Sequence, residues 1–357
     1  MAARFSGPSA LSRLLVSLAI LSTACTISVR ASLSEDRPSG RQLQVVGGWP
    51  AGDAERYPWM SRLHFLIDAR LGMMGGCGGS LVSRSVILTA AHCVSLVRKG
   101  NSNVFVRVGA YNALTDEALR PGKYHLRRVK QISVHPRYVE RGEDQITSPN
   151  DLALMLLDAP LPTEFPVIHL AGPETPYPAH GTPLYVLGWG STDQDNTQPA
   201  YNLMEVKLPV VSKLACSRQW SYAGAARALL TDGQVCAGLD NDRNICFGDS
   251  GGPLLLPGNS STMDLQLGVV SFSFPTCALP GMPGVFTWIP HYRGWLDPEI
   301  ARLESLAAGS VAAASAVVEP QPSGAARQSS GTVAAAVQPK SMGVSVPRQQ
   351  TARKPVS

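Results

Sequence analysis

Charged residues are scarce in this sequence, and they are unevenly distributed. Asp, Glu, Lys and Arg make up 16% of the 357 residues, a share below roughly one quarter, which excludes a highly charged disordered chain. The net charge is +5, of which residues 1–44 carry +3 and residues 307–357 carry +4, so residues 45–306 carry −2. A nearly neutral body argues against a nucleic-acid-binding domain, which would concentrate positive charge on its surface.

Long apolar runs are also missing. After the N-terminal segment, none reaches the roughly eighteen residues that a membrane-spanning helix needs. At the N-terminus, Arg4 and Arg13 precede a short apolar run at 14–21, which is typical of a secretory signal peptide. We predict cleavage after Ala31, giving a signal peptide at residues 1–31, with a cut after Ala24 as the alternative. An uncleaved anchor and an organelle transit peptide are the other readings of this segment.

Closely spaced cysteines are absent, so no structural zinc site is predicted. Because Cys25 lies in the predicted signal peptide, six cysteines would remain, and an even number in a secreted chain predicts three disulfides. Spacing alone does not choose the pairing. The six are Cys77, Cys93, Cys216, Cys236, Cys246 and Cys277.

From Val45 onwards, short apolar runs are separated by glycine and proline. Runs such as 86–90, 104–108 and 267–272 predict the strands of an all-β sandwich or barrel. Helical periodicity is found only at about 290–306, which predicts one C-terminal helix. Residues 307–357 are rich in Ala, Ser, Val, Gln, Pro and Gly, have no aromatic residue, and are predicted to form a disordered low-complexity tail.

Three motifs point to nucleophilic catalysis. Ser250 lies in the sequence GDSGGP at 248–253, where flanking glycines let a substrate carbonyl approach the backbone. A serine hydroxyl needs a base, and the base needs an orienting group. His92 in TAAHC and Asp151 in NDLAL are the candidates. Considered singly, they could be a turn serine, a structural histidine and a turn or cap aspartate.

These motifs, with GWG at 188–190 and VSF at 270–272, follow one another as in trypsin/chymotrypsin-like secreted serine endopeptidases. The chain resembles that family from Val45 to near Trp295. The resemblance implies two six-stranded antiparallel β-barrels, at about 45–160 and 161–297, with the active site in the cleft between them and a C-terminal helix. The protease domain would then occupy residues 45–306, after a propeptide at 32–44.

The same resemblance assigns roles to residues. Ser250 would be the nucleophile, His92 the base and Asp151 the group that orients the base. The backbone N–H groups of Gly248 and Ser250 would form the oxyanion hole, and Ser271 would present backbone to an extended substrate. The implied disulfides are Cys77–Cys93, Cys216–Cys236 and Cys246–Cys277.

Activation in this family frees an apolar N-terminus, here Val45, whose ammonium group pairs with the buried acid Asp249. The family usually has Arg or Lys before that position, whereas this chain has Gln44. Cleavage there would need an activator of different specificity or trimming after a cut at Arg41. The third possibility is that the zymogen is never activated in the usual way.

Specificity is implied by three pocket positions. Asn244 stands where a trypsin-like enzyme has Asp, so a neutral side chain rather than Lys or Arg is predicted at the scissile bond. Gly284 matches an open pocket, and Ser273 would narrow one wall. An insertion shift that brings Asp240 or Asp242 into the pocket is the alternative.

No metal and no cofactor are predicted, because Ala110 occupies the position of a ligand in the family's calcium loop. The expected partners are protein or peptide substrates, protein protease inhibitors and an activating protease, with no nucleic acid and, in the mature form, no membrane. Two other hypotheses are a non-catalytic homologue that binds or regulates, and a structural or adhesive secreted protein that acts through its tail.

Overall fold

The computed structural model describes residues 47–68, 73–98, 104–112, 123–140, 148–191, 199–222, 230–239, 243–277 and 279–316. The predicted signal peptide and propeptide, Gln44, Val45, Asp240, Asp242 and residues 317–357 lie outside these ranges. The first seven strands are β1 Trp49–Pro50, β2 Met60–Asp68, β3 Met73–Ser83, β4 Val86–Thr89, β5 Val104–Val108, β6 His125–Val134 and β7 Ala153–Leu157. The next seven are β8 His169–Leu170, β9 Pro183–Gly188, β10 Met204–Val211, β11 Gln234–Ala237, β12 Pro253–Leu256, β13 Leu265–Phe272 and β14 Gly284–Trp288.

Six antiparallel strands close the first barrel in the order β2-β3-β4-β7-β6-β5, and β5 pairs back onto β2. Strand β5 shows why this sequence forms a barrel wall. Its valines at 104, 106 and 108 are buried, while Phe105 and Arg107 between them are half-buried. Alternate residues of a strand point to opposite faces, so one face of β5 fills the core.

The second barrel is closed in the order β9-β10-β11-β14-β13-β12, and β12 pairs back onto β9. Strand β1 from the start of the described chain pairs with β10, and β8 pairs in parallel with β13. The prediction of two six-stranded antiparallel barrels is therefore confirmed. Because β1 precedes the first barrel in the chain but pairs with β10 of the second barrel, it links the two barrels.

Three helices occur in the described chain: α1 Ala91–Arg98, α2 Lys213–Tyr222 and α3 Ile289–Ala316. The last begins directly after β14 and buries Tyr292, Leu296 and Leu303 against the core of the first barrel. The C-terminal helix is thus confirmed, but it is longer than predicted. It continues to Ala316, into the segment predicted to be disordered, where the alanine-rich sequence favours helix.

All three disulfides implied by the resemblance are present: Cys77–Cys93, Cys216–Cys236 and Cys246–Cys277. Within the described ranges, no helix has the length and apolar content needed to cross a bilayer.

Candidate active site

Strand pairing in the first barrel brings His92 and Asp151 together. The end of β4 pairs with the start of β7, Thr89 opposite Ala153, so His92 in the first turn of α1 meets Asp151, two residues before β7. His92 Nδ1 lies 2.8 Å from Asp151 Oδ2, and the His92 backbone N–H donates to Asp151 Oδ1 at 2.9 Å. One carboxylate therefore fixes both the ring and the backbone of His92.

The second barrel also contacts this carboxylate. The Ser271 hydroxyl, at the end of β13, donates to Asp151 Oδ2 at 2.6 Å. Asp151 is fully buried. Burial raises the pKa of Asp151, but the charge of His92 and the hydrogen bonds from His92 and Ser271 together lower it by more, so the pKa lies below the usual range. Asp151 is therefore an anion at neutral pH.

Helix α3 positions the residue before Asp151. Asn150 has a left-handed backbone with φ of 59°, which costs energy for a residue other than glycine. The Tyr292 hydroxyl accepts the Asn150 N–H at 3.2 Å and donates to its side-chain oxygen at 3.3 Å. This contact holds the turn that directs Asp151 toward His92.

Ser250 lies on the second barrel, just before β12, and its loop packs against the segment that carries His92. The Gly78 N–H donates to the Ser250 carbonyl at 2.7 Å. Gly251 has φ of +76°, and a Cβ there would lie only 2.2 Å from Thr89 Oγ1, so a glycine is required. The Cys77–Cys93 disulfide lies beside the Gly78–Ser250 hydrogen bond and beside His92, since Cys77 precedes Gly78 and Cys93 follows His92.

The Ser250 loop thus packs beside the strands that position His92 and Asp151, but among the described residues no hydrogen bond joins the Ser250 hydroxyl to the other two side chains. In the described part of the chain, hydrogen bonds link His92, Asp151 and Ser271, and none links the Ser250 hydroxyl to the His92 ring. In free enzymes this contact is often long and shortens only when substrate binds.

Asp249 is fully buried beside Ser250. Its carboxylate accepts the backbone N–H groups of Gly190 at 2.8 Å and Cys246 at 2.9 Å. Burial raises the pKa of Asp249 to about 6, although those hydrogen bonds and the charge of Arg62 lower it in part. The carboxylate is therefore costly to keep ionised where it lies.

The pocket positions Asn244 and Gly284 lie together. Asn244 is buried, donates to the Met282 carbonyl at 2.7 Å and accepts the Ile245 N–H at 2.8 Å. A Cβ on Gly284 would lie 2.9 Å from Asn244 Oδ1 and 3.0 Å from the Ile245 side chain. The Ser273 hydroxyl donates to the Phe274 carbonyl at 3.4 Å.

Two apolar residues near this pocket were not singled out from the sequence. Ile245 is buried against Gly284, whereas Phe247, directly before Gly248, is 54% exposed. The sequence offered one signal for Phe247, a large apolar residue directly before the GDSGGP motif, and none for Ile245.

One group of side chains in the described ranges has the spacing of a metal site, namely Cys77, His92 and Cys93. The two sulfur atoms are bonded to each other, so they are not the thiolates that bind metals. His92 Nδ1 already contacts Asp151. The chemistry of this donor set does not fit a metal ion.

The family model described as Trypsin matches residues 45–296. Similar proteins include CLIP domain-containing serine protease B14 of Anopheles gambiae, 31% identical over 74% of this chain and 74% of the relative. Venom serine protease Bi-VSP of Bombus ignitus is 34% identical over 73% of this chain and 68% of its own. Clotting factor G beta subunit of Tachypleus tridentatus is 30% identical over 83% of this chain and 93% of the relative. With its two barrels and three disulfides, the chain belongs to the trypsin family of serine-type endopeptidases.

Proposed function

We propose that the chain cleaves peptide bonds through an acyl-serine intermediate in which Ser250 is the nucleophile. His92 takes the Ser250 proton as the hydroxyl attacks the scissile carbonyl, then gives a proton to the leaving amine, and a water repeats the cycle to release the acid. Asp151 holds the ring through Nδ1, which leaves Nε2, 3.8 Å from Cys93 Sγ, as the nitrogen that takes the proton, and it stabilises the imidazolium. The observation that carries this proposal is the pair of contacts from Asp151 to His92, 2.8 Å and 2.9 Å long, beside the docked Ser250 loop.

The backbone N–H groups of Gly248 and Ser250 stabilise the oxyanion in this mechanism. Gly248 has φ of +99°, and a Cβ there would lie 3.0 Å from Gly190 Cα. Both facts favour glycine, and loss of one such donor typically costs about 10²–10³-fold in rate. Ser271, at the end of β13, offers backbone to an extended substrate segment.

For the residue before the scissile bond, we propose a neutral, small-to-medium or aromatic side chain. Asn244 carries no charge to pair with Lys or Arg, and one of its amide N–H groups and its oxygen already bond to the pocket walls. The Ile245 side chain against Gly284 makes the base of the pocket apolar. Phe247 at the rim adds an exposed aromatic surface.

We further propose that the enzyme is secreted as a zymogen. A cut after Gln44 would free Val45, and its ammonium would pair with Asp249, which is buried and costly to ionise. An activating protease and protein protease inhibitors are the proposed partners, with proteins or peptides as substrates and neither cofactor nor metal.

A fluorophosphonate probe tests the mechanism. The cut form with a free Val45 amine should be labelled at Ser250, and labelling should disappear in Ser250→Ala. Absence of labelling in a folded, correctly cut wild-type protein would refute the proposal.

A peptide library with varied residues before the scissile bond tests the proposed pocket specificity. Dominance of Arg and Lys at that position would show that the argument from Asn244 was wrong.

The second candidate is a non-catalytic homologue that binds or regulates. It is favoured by the missing hydrogen bond between Ser250 and His92 among the described residues, and by Gln44 at the activation site. The same labelling experiment separates the two, because a binding protein would stay unlabelled after the cut.

A further inference from the structure

Two groups of opposite charge face the interface between the barrels, and neither has a charged partner in direct contact among the described residues. Asp249 lies in the second barrel, and in the described structure its carboxylate accepts two backbone N–H groups but forms no ion pair. Arg62 lies on β2 of the first barrel, and its Nε is buried with no hydrogen-bond partner among the described residues. Unpaired buried charges are costly, so the presence of a buried anion and a buried cation near the same interface needs an explanation.

Strand register directs Arg62 toward the nucleophile loop. Arg62 lies opposite Gly78 in the pairing of β2 with β3, and paired residues share a face of the sheet. A Cβ on Gly78 would lie 2.9 Å from Gly252 Cα, and the Gly78 N–H donates to the Ser250 carbonyl. The face that carries Arg62 is thus the face on which the Ser250 loop packs.

Both charged groups contact the same short segment. The guanidinium carbon of Arg62 lies 5.2 Å from the centre of the Trp189 ring, at a distance typical of cation–π contacts. Trp189 is flanked by Gly188 and Gly190, where added Cβ atoms would lie 2.1 Å and 2.5 Å from the Asp249 carboxylate group. The cation and the anion are therefore separated by little more than the Trp189 segment.

The surrounding charges make this attraction specific to Arg62. The pKa of Arg62 is lowered to about 10, chiefly by burial and also by the charge of Arg107 on β5, while Asp249 acts to raise it. Arg107 is opposite Arg62 in the strand pairing, but it is not among the groups that act on Asp249. His64, next on the same face, is neutral because burial lowers its pKa to about 4.

We propose that Arg62 is a positioning residue that acts as an internal counter-charge to Asp249 in the uncut chain. It keeps the Asp249 carboxylate ionised and hydrogen-bonded to Gly190 and Cys246, and so keeps the Ser250 loop ordered before any cut after Gln44. The proposal rests on the proposed function. It adds that the uncut chain has basal reactivity and that the new N-terminus strengthens a charge balance that already exists.

The test measures fluorophosphonate labelling of Ser250 against pH in the full chain, with the Gln44–Val45 bond shown intact by mass spectrometry. Arg62→Gln should move the acid limb of the labelling curve to higher pH by about one unit, so that labelling falls about fivefold at pH 6 and approaches a tenfold loss at lower pH. The sign follows because the Arg62 cation favours the ionised carboxylate, and its removal raises the pH needed for ionisation. At higher pH the wild type and the variant should converge.

Two further variants and a comparison with the cleaved chain make the result decisive. Arg62→Lys retains the cation and should follow the wild type, and Arg107→Gln, the matched loss of a neighbouring cation, should leave the acid limb in place. After cleavage, the Val45 ammonium supplies the charge, so Arg62→Gln should differ little from the wild type.

The proposal is overturned if the uncut wild type is unreactive while the cut form is labelled. It is also overturned if Arg62→Gln leaves the curve unchanged, or if Arg62→Lys shifts it as much as Arg62→Gln. If the cut wild type itself is not labelled, the proposed function fails instead.

Discussion

At the scale of single residues, the contact from Ser271 to Asp151 joins the two barrels at the acid of the candidate site. Asp151 belongs to the first barrel and Ser271 to the second, and their hydrogen bond is 2.6 Å long. A second contact also joins the two barrels at Asp151, because the hydroxyl of Thr287 on β14 donates to the Asp151 carbonyl at 3.1 Å. The position of His92 therefore depends on packing between barrels as well as within one.

Ser271→Ala should destabilise the protein by about 1–3 kcal/mol at neutral pH, because a buried carboxylate loses a hydrogen-bond donor. The pKa of Asp151 is below the ordinary value in the folded protein, so its contribution to stability is present at neutral pH and is lost as pH falls through the folded pKa. The variant raises that pKa, and the stability difference from wild type should shrink as pH falls below about 4. Urea unfolding at several pH values measures this. Ser273→Ala, whose hydroxyl contacts only a carbonyl at 3.4 Å among the described atoms, is the control, and an equal loss in both variants would contradict the argument.

Much of the site could be predicted from the sequence because the reactive residues lie in short local motifs. The structure joins His92 to Asp151 and packs the Ser250 loop beside them, while the roles of these residues stay predictions from their motifs. The role that we propose for Arg62 could not be found in this way, since it depends on a contact between β2 and the Trp189 segment, far apart in the chain. Local sequence does not record which side chains approach each other across a barrel interface.

At the scale of elements, the Cys77–Cys93 disulfide fixes the corner where β3, α1 and the Ser250 loop meet. Its cysteines are 16 residues apart, and those of Cys216–Cys236 are 20 apart. In the chain-entropy model, loops of similar length give similar stabilisation. Their effects on activity should differ, because only the first disulfide lies beside His92 and Gly78.

Replacing Cys77 and Cys93 by serine should lower the free energy of unfolding by about 2–4 kcal/mol and should also slow fluorophosphonate labelling of Ser250. The matched pair, Cys216→Ser with Cys236→Ser, should lose similar stability and keep more of the labelling rate at a temperature where both variants are folded. Urea unfolding and labelling kinetics measure the two effects. Equal labelling in the two double variants would show that the first disulfide does not position the site.

The elements themselves were predictable to different degrees. Short apolar runs between glycines and prolines gave the barrel strands, since each run is about the length of one barrel wall. The end of α3 was misplaced, because the aromatic and leucine pattern that marks its buried face stops near Leu306. Beyond that point, alanine propensity rather than burial extends the helix to Ala316.

At the scale of the whole molecule, α3 belongs to the folded body and contributes to the site. It buries Leu296 and Leu303 in the core, and Tyr292 holds the turn at Asn150. The helix therefore belongs with the two barrels, and we predict that the functional unit extends at least through Leu303.

A chain that ends at Ala316 should keep full labelling of Ser250 and an unchanged melting temperature. A chain that ends at Pro290 should lose both, because the core loses Leu296 and Leu303 and Asn150 loses its Tyr292 contact. Thermal unfolding with labelling of each cut form measures this. A loss of labelling in the longer chain would instead support the hypothesis that the protein acts through its tail.

The closure of both barrels has a consequence for how long the enzyme survives among its own copies. The proposed function has Ser271 offer backbone to an extended substrate segment, and a sheet can be attacked by such strand addition only where an edge is free. Each barrel closes on itself, through the pairing of β5 with β2 and of β12 with β9, and the added strands β1 and β8 are two residues each. Autolysis should therefore begin in connecting loops, and loop composition rather than barrel stability should set the working lifetime of the enzyme.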